Sequence, residues 1–295
     1  IVHIDLNAFF VRAEEIKDPT LIGKAVAIGH EGRGGIVSTC SYEARKFGVH
    51  SGQPMFEAKK LCKHLIVLPG DYRFYTVLSK SFIKIVKSYT NLVEQMSIDE
   101  CFCDFTNALK GVKDPIAYFK KFQEDLYSKT ELKCSIGVAP TRFLAKMASD
   151  MKKPMGITIL RKRDLEEKLY PIKIEDMFGI GKKTSPRLKA IGINTIGDFK
   201  NRMDETPEQM RSFLGKSFDV FYDWVNGKGN DKIETEKWDP KSIGHSSTFR
   251  HDTDSLEEVK EMFMHLAEGV SRRAIEERKM GSTIQIVVKT TEFKS

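Results

Sequence analysis

The sequence lacks the features that mark membrane, secreted or zinc-binding proteins. No apolar run approaches the roughly 20 residues of a transmembrane helix, and no signal-peptide pattern opens the chain. The 5 cysteines are an odd number without the spacing of a zinc site, and Cys101 and Cys103 lie in an apolar run. We find no internal repeat and no low-complexity segment. A reducing, cytoplasmic location without a membrane partner is therefore expected.

Length and composition predict a multidomain globular protein. The chain has 295 residues, of which 40% are hydrophobic and 30% charged, enough for about two to four domains with real cores. Lys and Arg number 48 against 41 Asp and Glu, which gives a net charge of +7. This excess is as typical of a solvated basic surface as of nucleic-acid binding, so its meaning depends on the motifs.

An acidic pair, Asp99 and Glu100, interrupts an otherwise apolar stretch. Neighbouring side chains of a regular strand point to opposite faces, so two adjacent carboxylates converge only where the strand bends. We therefore place the pair at or near a hairpin tip. Like charges held this close repel, and a divalent cation such as Mg²⁺ relieves the repulsion. Most such pairs are solvated turn residues, so a metal site requires a third carboxylate.

A third carboxylate ends the first apolar run of the chain. Residues 1–4 have the pattern of a buried strand that stops at Asp5. An unpaired carboxylate is costly to desolvate, so an acid at this place usually has a partner. Alternatively, Asp5 or Asn7 could cap a helix that begins near Phe9. Beside Asp99 and Glu100, the metal-ligand interpretation is favoured.

Six stretches, in order and over nearly the whole chain, carry a family resemblance. The chain resembles the Y-family DNA polymerases, the translesion enzymes, and within them the bacterial DNA polymerase IV branch. The matching stretches are IDLNAFF (4–10), STCSYEARKFGV (38–49), SIDE (97–100), SIGVA (135–139), KKPMGI (152–157) and KSIG (241–244).

The resemblance implies an α/β multidomain fold of the right-hand polymerase type, with an α+β little finger that is only partly present. The expected domains are a palm over 1–10 and 71–164, small fingers over 11–70, a helical thumb over 165–227, a charged linker over 228–240 and the partial little finger over 241–295. A C-terminal tail that binds a sliding clamp is expected to lie outside this sequence.

Periodicity and turn residues predict the elements of these domains. Strands are predicted over 25–28, 36–38, 133–138 and 284–288 and near Ile243. Helices are predicted over 41–47, 54–62, 75–89 and 115–128, with further helices that begin near Thr141 and at a Ser255-x-x-Glu258 capping box.

A helix-hairpin-helix pattern lies in the predicted thumb. Gly179 and Gly181 permit a tight turn whose backbone N–H groups can bind a DNA phosphate, and Lys182 and Lys183 add positive charge. A Gly-x-Gly turn between helices is also common without any ligand. In this position it matches the thumb of the family, and Ile180 belongs to the same implied DNA contact.

By resemblance, the catalytic carboxylates are Asp5, Asp99 and Glu100. Together with the backbone carbonyl of Leu6 they would hold two Mg²⁺ ions, for which Mn²⁺ could substitute. The residues implied at the nucleotide are Phe9, Phe10, Thr39, Tyr42, Arg45 and Lys153. Phe10 is the implied steric gate against ribonucleotides, although both phenylalanines could simply belong to the core. Arg45 and Lys46 could likewise form a plain solvated face.

The resemblance implies a monomeric DNA-directed DNA polymerase that extends a primer on template DNA with deoxynucleoside triphosphates. Two-metal-ion phosphoryl transfer and low-fidelity synthesis across damaged DNA belong to the same implication. A two-metal nuclease or nucleotide cyclase could use similar carboxylates but would not need the hairpin at 179–181. A catalytically inactive DNA-binding scaffold would be indicated by the loss of an acid, and all three acids are present.

Overall fold

The structure is a computed structural model that describes residues 1–236, 239–292 and 294. Its strands are β1 (Val2–Leu6), β2 (Val26–Ile28), β3 (Thr39–Cys40), β4 (Ile66–Leu68), β5 (Val93–Gln95), β6 (Glu100–Cys103), β7 (Cys134–Val138) and β8 (Ile157–Ile159). Its helices are α1 (Phe9–Lys17), α2 (Tyr42–Arg45), α3 (Met55–Leu61), α4 (Tyr72–Lys87), α5 (Pro115–Thr130), α6 (Arg142–Met151), α7 (Thr184–Ala190), α8 (Ile196–Glu205), α9 (Pro207–Leu214), α10 (Phe218–Val225) and α11 (Leu256–Glu276).

A five-stranded sheet in the order β5-β6-β1-β7-β8 forms the centre of the fold. β1 is antiparallel to β6 on one side and to β7 on the other, while β7 and β8 are parallel. Alternation along β1 places Val2, Ile4 and Leu6 in a core with residues of α4 and α5. His3 and Asp5 therefore point to the opposite face, which α6 covers.

A smaller sheet in the order β3-β2-β4 packs with α2 and α3 and forms a second core. The strand predicted over 36–38 is wrong, because Ile36 makes only an isolated bridge with Pro54 and pairing with β2 starts at Thr39. The preceding loop explains the delay, since Gly32 and Gly34 both adopt positive φ angles there. The helices predicted over 41–47 and 54–62 are confirmed, with Gly48 at φ 84° after the first.

The helices α7 to α10 pack on α6 and share one hydrophobic core with it. Phe143 of α6 stacks on Trp224 of α10, with ring centroids 4.9 Å apart and planes 12° apart. Gly179 adopts a φ of 93°, and a Cβ there would lie only 3.0 Å from the Phe221 ring. The predicted tight turn is thus present, and glycine is required in it.

The C-terminal part contains the predicted long helix, but its predicted strands are wrong. The Ser255 Oγ accepts a hydrogen bond from the Glu258 N–H at 3.3 Å, which confirms the serine half of the capping box. Within the described residues no strand forms near Ile243 or over 284–288, and Ile284 is 91% exposed. An alternating apolar pattern becomes a strand only where another strand offers hydrogen bonds, and the described part of this region supplies none.

Residues 230–234, named here the anchored segment, lie within the charged linker predicted over 228–240 and are fastened to the palm. Arg142 Nη2 donates to Glu94 Oε1 at 2.6 Å, and the other oxygen of Glu94 accepts from the Glu234 N–H at 2.9 Å. The Arg142 N–H donates to the Asn230 carbonyl at 3.3 Å.

None of the helices in the described ranges combines the length and the apolarity needed to cross a membrane.

Candidate active site

The pairing of β1 with β6 brings Asp5 next to the hairpin of β5 and β6, which carries Asp99 and Glu100. Asp5 on β1 lies directly opposite Glu100 on β6, so their side chains share one face of the sheet. Asp99 occupies the turn before β6, where its carbonyl accepts from the Leu6 N–H at 2.9 Å. The Ser97 Oγ donates to Asp99 Oδ1 at 2.6 Å and fixes that carboxylate. The predicted hairpin is confirmed, with Asp99 in its turn and Glu100 at the start of the second strand.

Two lysines from α6 and the loop after it face these acids. The Lys146 Nζ lies 2.9 Å from Glu100 Oε2 and 3.2 Å from Asp5 Oδ2, and the Lys153 Nζ lies 2.8 Å from Asp5 Oδ1. Both lysines also contact Asp150, at 3.7 and 2.7 Å. Asp150 follows Lys146 by four residues on one face of α6, and Lys153 reaches the same carboxylate from the loop after the helix.

The surroundings affect the two acids of the hairpin differently. Burial raises the pKa of Asp99, and the charges of Asp5 and Glu100 add to that rise. The close approach of the His3 imidazole, together with the charge of Lys146, lowers the pKa of Glu100 to about 2 despite its burial, although the His3 Nε2 makes no aligned hydrogen bond within the described residues. Burial disfavours the Lys146 ammonium, but Asp5, Asp150 and Glu100 outweigh it and raise its pKa.

His3 is a site residue that the sequence analysis missed. It is fully buried, its Nδ1 lies 2.8 Å from Ser149 Oγ, and its Nε2 lies 3.2 Å from Glu100 Oε2. Ligand atoms of His3, Asp5 and Glu100 all lie within 4.8 Å of one another. The available signal was alternation, because residues two apart on a strand share a face.

A cavity of about 240 Å³ opens beside the acids. Every predicted metal or nucleotide residue except Glu100 lines it, namely Asp5, Leu6, Phe9, Phe10, Thr39, Tyr42, Arg45, Asp99 and Lys153. Three further lining residues were not predicted, Ala8, Ser38 and Ser51. The fold therefore joins the start of the chain, the small sheet domain and the acidic hairpin around one space.

The small domain contributes a basic and aromatic wall to this cavity. The Ser41 Oγ caps α2 by accepting from the Ala44 N–H at 3.2 Å. Tyr42 and Arg45 are three apart on that helix, and the Arg45 guanidinium lies 4.7 Å from the centre of the Tyr42 ring. The prediction that both residues share one face is thus met by the structure.

The two phenylalanines have different environments. Phe9 is 2% exposed and belongs to the palm core. Phe10 is half-buried and stacks on Tyr75, with ring centroids 4.4 Å apart and planes 12° apart. The Tyr75 hydroxyl donates to Glu14 at 2.7 Å, so the ring beneath Phe10 is fixed. Only Phe10 thus combines a rigid support with a partly free edge at the cavity.

The predicted DNA-contact residues 179–183 lie on the thumb and not in the cavity lining. Gly181, Lys182 and Lys183 are exposed just before α7, and the Gly181 carbonyl accepts from the Thr184 and Ser185 N–H groups. Ile180 is buried in the core shared with α6 and holds the turn in place.

Family models match three parts of the chain. The model described as the impB/mucB/samB family matches residues 4–150, and the model of its C-terminal domain matches residues 240–295. The model described as the IMS family HHH motif matches residues 162–193, which include the turn at Gly179.

Several bacterial proteins are similar over the full chain. DNA polymerase IV of Oceanobacillus iheyensis is 39% identical over 298 residues, which cover 100% of this chain and 70% of that protein. DNA polymerase IV of Bacillus velezensis is 41% identical over 300 residues, which cover 100% of this chain and 71% of that protein.

Solved structures of polymerases share the fold. DinB from Sulfolobus solfataricus superposes with a TM-score of 0.72 at 26% identity, over 79% of this chain and 69% of that one. A Y-family DNA polymerase chimera of Dbh and Dpo4 reaches a TM-score of 0.81 over 92% of this chain and 79% of that one, and at 24% identity it supports the fold alone. The right-hand polymerase fold predicted from the sequence is therefore confirmed. From its family matches, its relatives and this fold, the chain belongs to the impB/mucB/samB family, the Y-family DNA polymerases.

Proposed function

We propose that this chain adds deoxynucleotides to a primer 3′-end on a DNA template by two-metal-ion phosphoryl transfer. The observation that carries the proposal is that Asp5 and Asp99 line a cavity with a cationic wall, while Glu100 lies directly opposite Asp5 in the adjacent strand. The similar proteins named DNA polymerase IV and the solved ternary complex of Dbh DNA polymerase support the same activity.

The donor set fits a divalent cation. Carboxylate and carbonyl oxygens are the ligands that Mg²⁺ prefers, and Asp5 and Glu100 share one face of the sheet with Asp99 in the turn beside them. Asp5, Asp99, Glu100 and the Leu6 carbonyl would hold two such ions, with Mn²⁺ as a substitute. Such ions activate an attacking oxygen and stabilise a leaving one.

The residues of the cavity wall would bind and orient the nucleotide. Arg45, Tyr42 and Lys153 supply cationic and hydroxyl partners for a triphosphate, and Thr39 lies beside them on β3. The stacked Phe10 would pack under the deoxyribose and clash with a 2′-hydroxyl, so ribonucleotides would be rejected. Holding the α-phosphate in line with the primer oxygen is the main catalytic contribution expected of such positioning.

The remaining parts of the proposal concern DNA and fidelity. The exposed turn at 179–183 would bind a phosphate of primer-template DNA through backbone N–H groups and Lys182 and Lys183. The small domain at 11–70 has three short strands and no long helix in front of the cavity, which supports an open site, low fidelity and synthesis across damaged bases. We further propose a monomer that meets a sliding clamp through a C-terminal tail.

Primer extension with Mg²⁺ and deoxynucleotides tests the activity. Asp99→Asn and Glu100→Gln should each abolish extension, while Glu124→Gln, an exposed acid on α5, should extend like the parent. Extension that survives both active-site substitutions would refute the proposed site. A parent that binds primed DNA but never extends it would instead favour the inactive scaffold.

Binding of the incoming nucleotide has a matched pair of variants. Arg45→Ala should raise the KM for the nucleotide, because the guanidinium lines the cavity. Lys46→Ala removes the same charge from the next residue, which is exposed and absent from that lining, and should leave the KM unchanged. Equal effects of the two substitutions would contradict the proposed nucleotide wall.

A further inference from the structure

We propose that His3 is a positioning residue that fixes the Glu100 carboxylate for divalent-cation binding. The inference rests on the proposed metal site and deepens it, because it assigns a role to a buried residue outside the ligand set. The His3 Nε2 is buried and makes no aligned hydrogen bond within the described residues, and it lies 3.2 Å from Glu100 Oε2.

The imidazole of His3 is fixed from several sides. Its Nδ1 lies 2.8 Å from Ser149 Oγ, and Ser149 Oγ itself donates to the Lys146 carbonyl at 2.8 Å. The ring packs on Phe102, with centroids 4.6 Å apart. With Nδ1 engaged by α6, the ring is oriented so that Nε2 faces Glu100.

A glycine lets α6 come close enough for this contact. Gly137 of β7 lies beside His3 in the sheet register. A Cβ on Gly137 would stand 2.0 Å from the Ala145 carbonyl oxygen and 2.4 Å from the Ser149 nitrogen. Helix and sheet are therefore in contact at the point where Ser149 reaches the histidine.

The contacts of Glu100 leave one oxygen for a cation. The His3 Nε2 and the Lys146 Nζ both approach Glu100 Oε2, at 3.2 and 2.9 Å. Neither of these two groups contacts the other carboxylate oxygen, Oε1. Glutamate has three rotatable bonds, and a carboxylate that Lys146 binds and the His3 ring backs loses much of that freedom before a ligand arrives. Lys146 also touches Asp5 and Asp150, whereas His3 acts on Glu100 alone among the carboxylates.

The location of His3 favours positioning over direct ligation. Neither His3 nor Glu100 lines the cavity, but the side chain of His3 is fully buried while that of Glu100 is 27% exposed. The histidine therefore lies on the buried side of Glu100. Groups that orient metal ligands in this way typically change metal affinity about 10–100-fold when removed.

Mn²⁺ titration followed by electron paramagnetic resonance tests the inference without catalysis. We expect His3→Leu to weaken Mn²⁺ binding about 10–100-fold, and Ser149→Ala to weaken it less. His3→Gln, whose neutral amide can donate to Glu100, should restore most of the affinity. Thr158→Val, which replaces a buried and unpartnered hydroxyl of the neighbouring strand β8, controls for a change in the core.

Kinetics separate positioning from a general loss of structure. His3→Leu should raise the Mg²⁺ concentration needed for half-maximal extension by the same factor, with an unchanged nucleotide KM at saturating metal. If His3→Leu does not fold, Ser149→Ala and His3→Gln provide the comparison. Parental Mn²⁺ affinity in His3→Leu and Ser149→Ala would overturn the inference, as would pulsed-resonance coupling of Mn²⁺ to a histidine nitrogen.

Glu100→Gln distinguishes failure of this inference from failure of the proposed function. Loss of Mn²⁺ binding in Glu100→Gln with parental binding in His3→Leu would refute the role of His3 alone. Parental binding in both variants would refute the metal site at Glu100 and the inference with it.

Discussion

Gly137→Ala should damage the active site from a position that touches no substrate. The new Cβ would lie 2.0 Å from the Ala145 carbonyl oxygen and 2.4 Å from the Ser149 nitrogen, whereas ordinary contacts begin at 3.4 Å. Backbone atoms cannot rotate aside, so α6 must withdraw by about 1.4 Å or the strand must bend. Overpacking of this kind costs about 1–3 kcal/mol of folding free energy.

A shift of α6 would displace the side chains that contact the active-site acids, and its effect on activity should exceed its effect on stability. α6 carries Ser149 and Lys146, and the loop after it carries Lys153, which contacts Asp5 at 2.8 Å. A misplacement of about 1 Å in a catalytic constellation can lower turnover about 100-fold. We therefore expect kcat for primer extension to fall about 100-fold in Gly137→Ala, with most of the protein still folded.

Steady-state primer extension and urea denaturation measure the two effects separately. Gly281→Ala is the matched control, because the nearest atom to its new Cβ is 3.8 Å away. A Gly137→Ala variant with parental kcat and parental stability would refute the argument that helix–sheet contact positions the site. A stable variant with low kcat would support it.

Four further predictions follow from the same structure. The low pKa of Glu100, about 2 against an ordinary 4.5, stabilises the fold above pH 4.5, and that stability is lost as the pH falls towards 2. Urea titrations should therefore show a steeper loss of stability over that range in the parent than in Glu100→Gln. Phe10→Ala should raise ribonucleotide incorporation relative to deoxynucleotide incorporation by at least about tenfold, measured with single nucleotides on one template. Replacing Lys182 and Lys183 with Ala should weaken DNA binding and flatten its dependence on salt, because each lost phosphate contact reduces the slope of log affinity against log salt by about one unit. Arg142→Gln should release the anchored segment and speed tryptic cleavage at Lys232.

Each of these predictions has a control and a refuting result. Glu124→Gln should keep the parental pH dependence, and Phe56→Ala, at a ring that is 61% exposed, should keep the parental ribonucleotide discrimination. Lys120→Ala with Lys121→Ala removes two exposed charges from α5 and should leave the salt slope unchanged. Arg163→Gln, at a side chain that is 76% exposed, should not alter cleavage at Lys232. A variant that behaves like its control would contradict the role assigned to that residue.

Much of the site was predictable because its signals are local. The bend at Asp99, the end of the first strand at Asp5 and the spacing of Tyr42 and Arg45 all follow from strand and helix periods. The structure brings these residues around one cavity. Family motifs contributed the remaining positions, such as Lys153, which no period in the sequence connects to Asp5.

The missed residues depend on contacts between distant elements. His3 looked like one more residue of an apolar strand, and its partners Ser149 and Glu100 are 146 and 97 positions away. Nothing in the sequence around Gly137 indicated that the backbone of α6 packs against this residue. The strand predicted over 284–288 is wrong for a related reason. Alternation of apolar residues indicates which side chains share a face, but it cannot supply the neighbouring strand that a β-strand needs for its hydrogen bonds.

The anchored segment changes how far the C-terminal part can move from the palm. Glu234 is held by Glu94, and Asp239 forms an ion pair with Lys279, which leaves four residues between the two fixed points. At about 3.5 Å per residue, these points can separate by no more than about 17 Å, whereas a free connection from 228 to 240 would allow about 42 Å. A short tether keeps the helix that follows at a high effective concentration beside the palm. Opening the Glu94–Arg142 pair would lengthen that reach without altering a single residue of the tether itself.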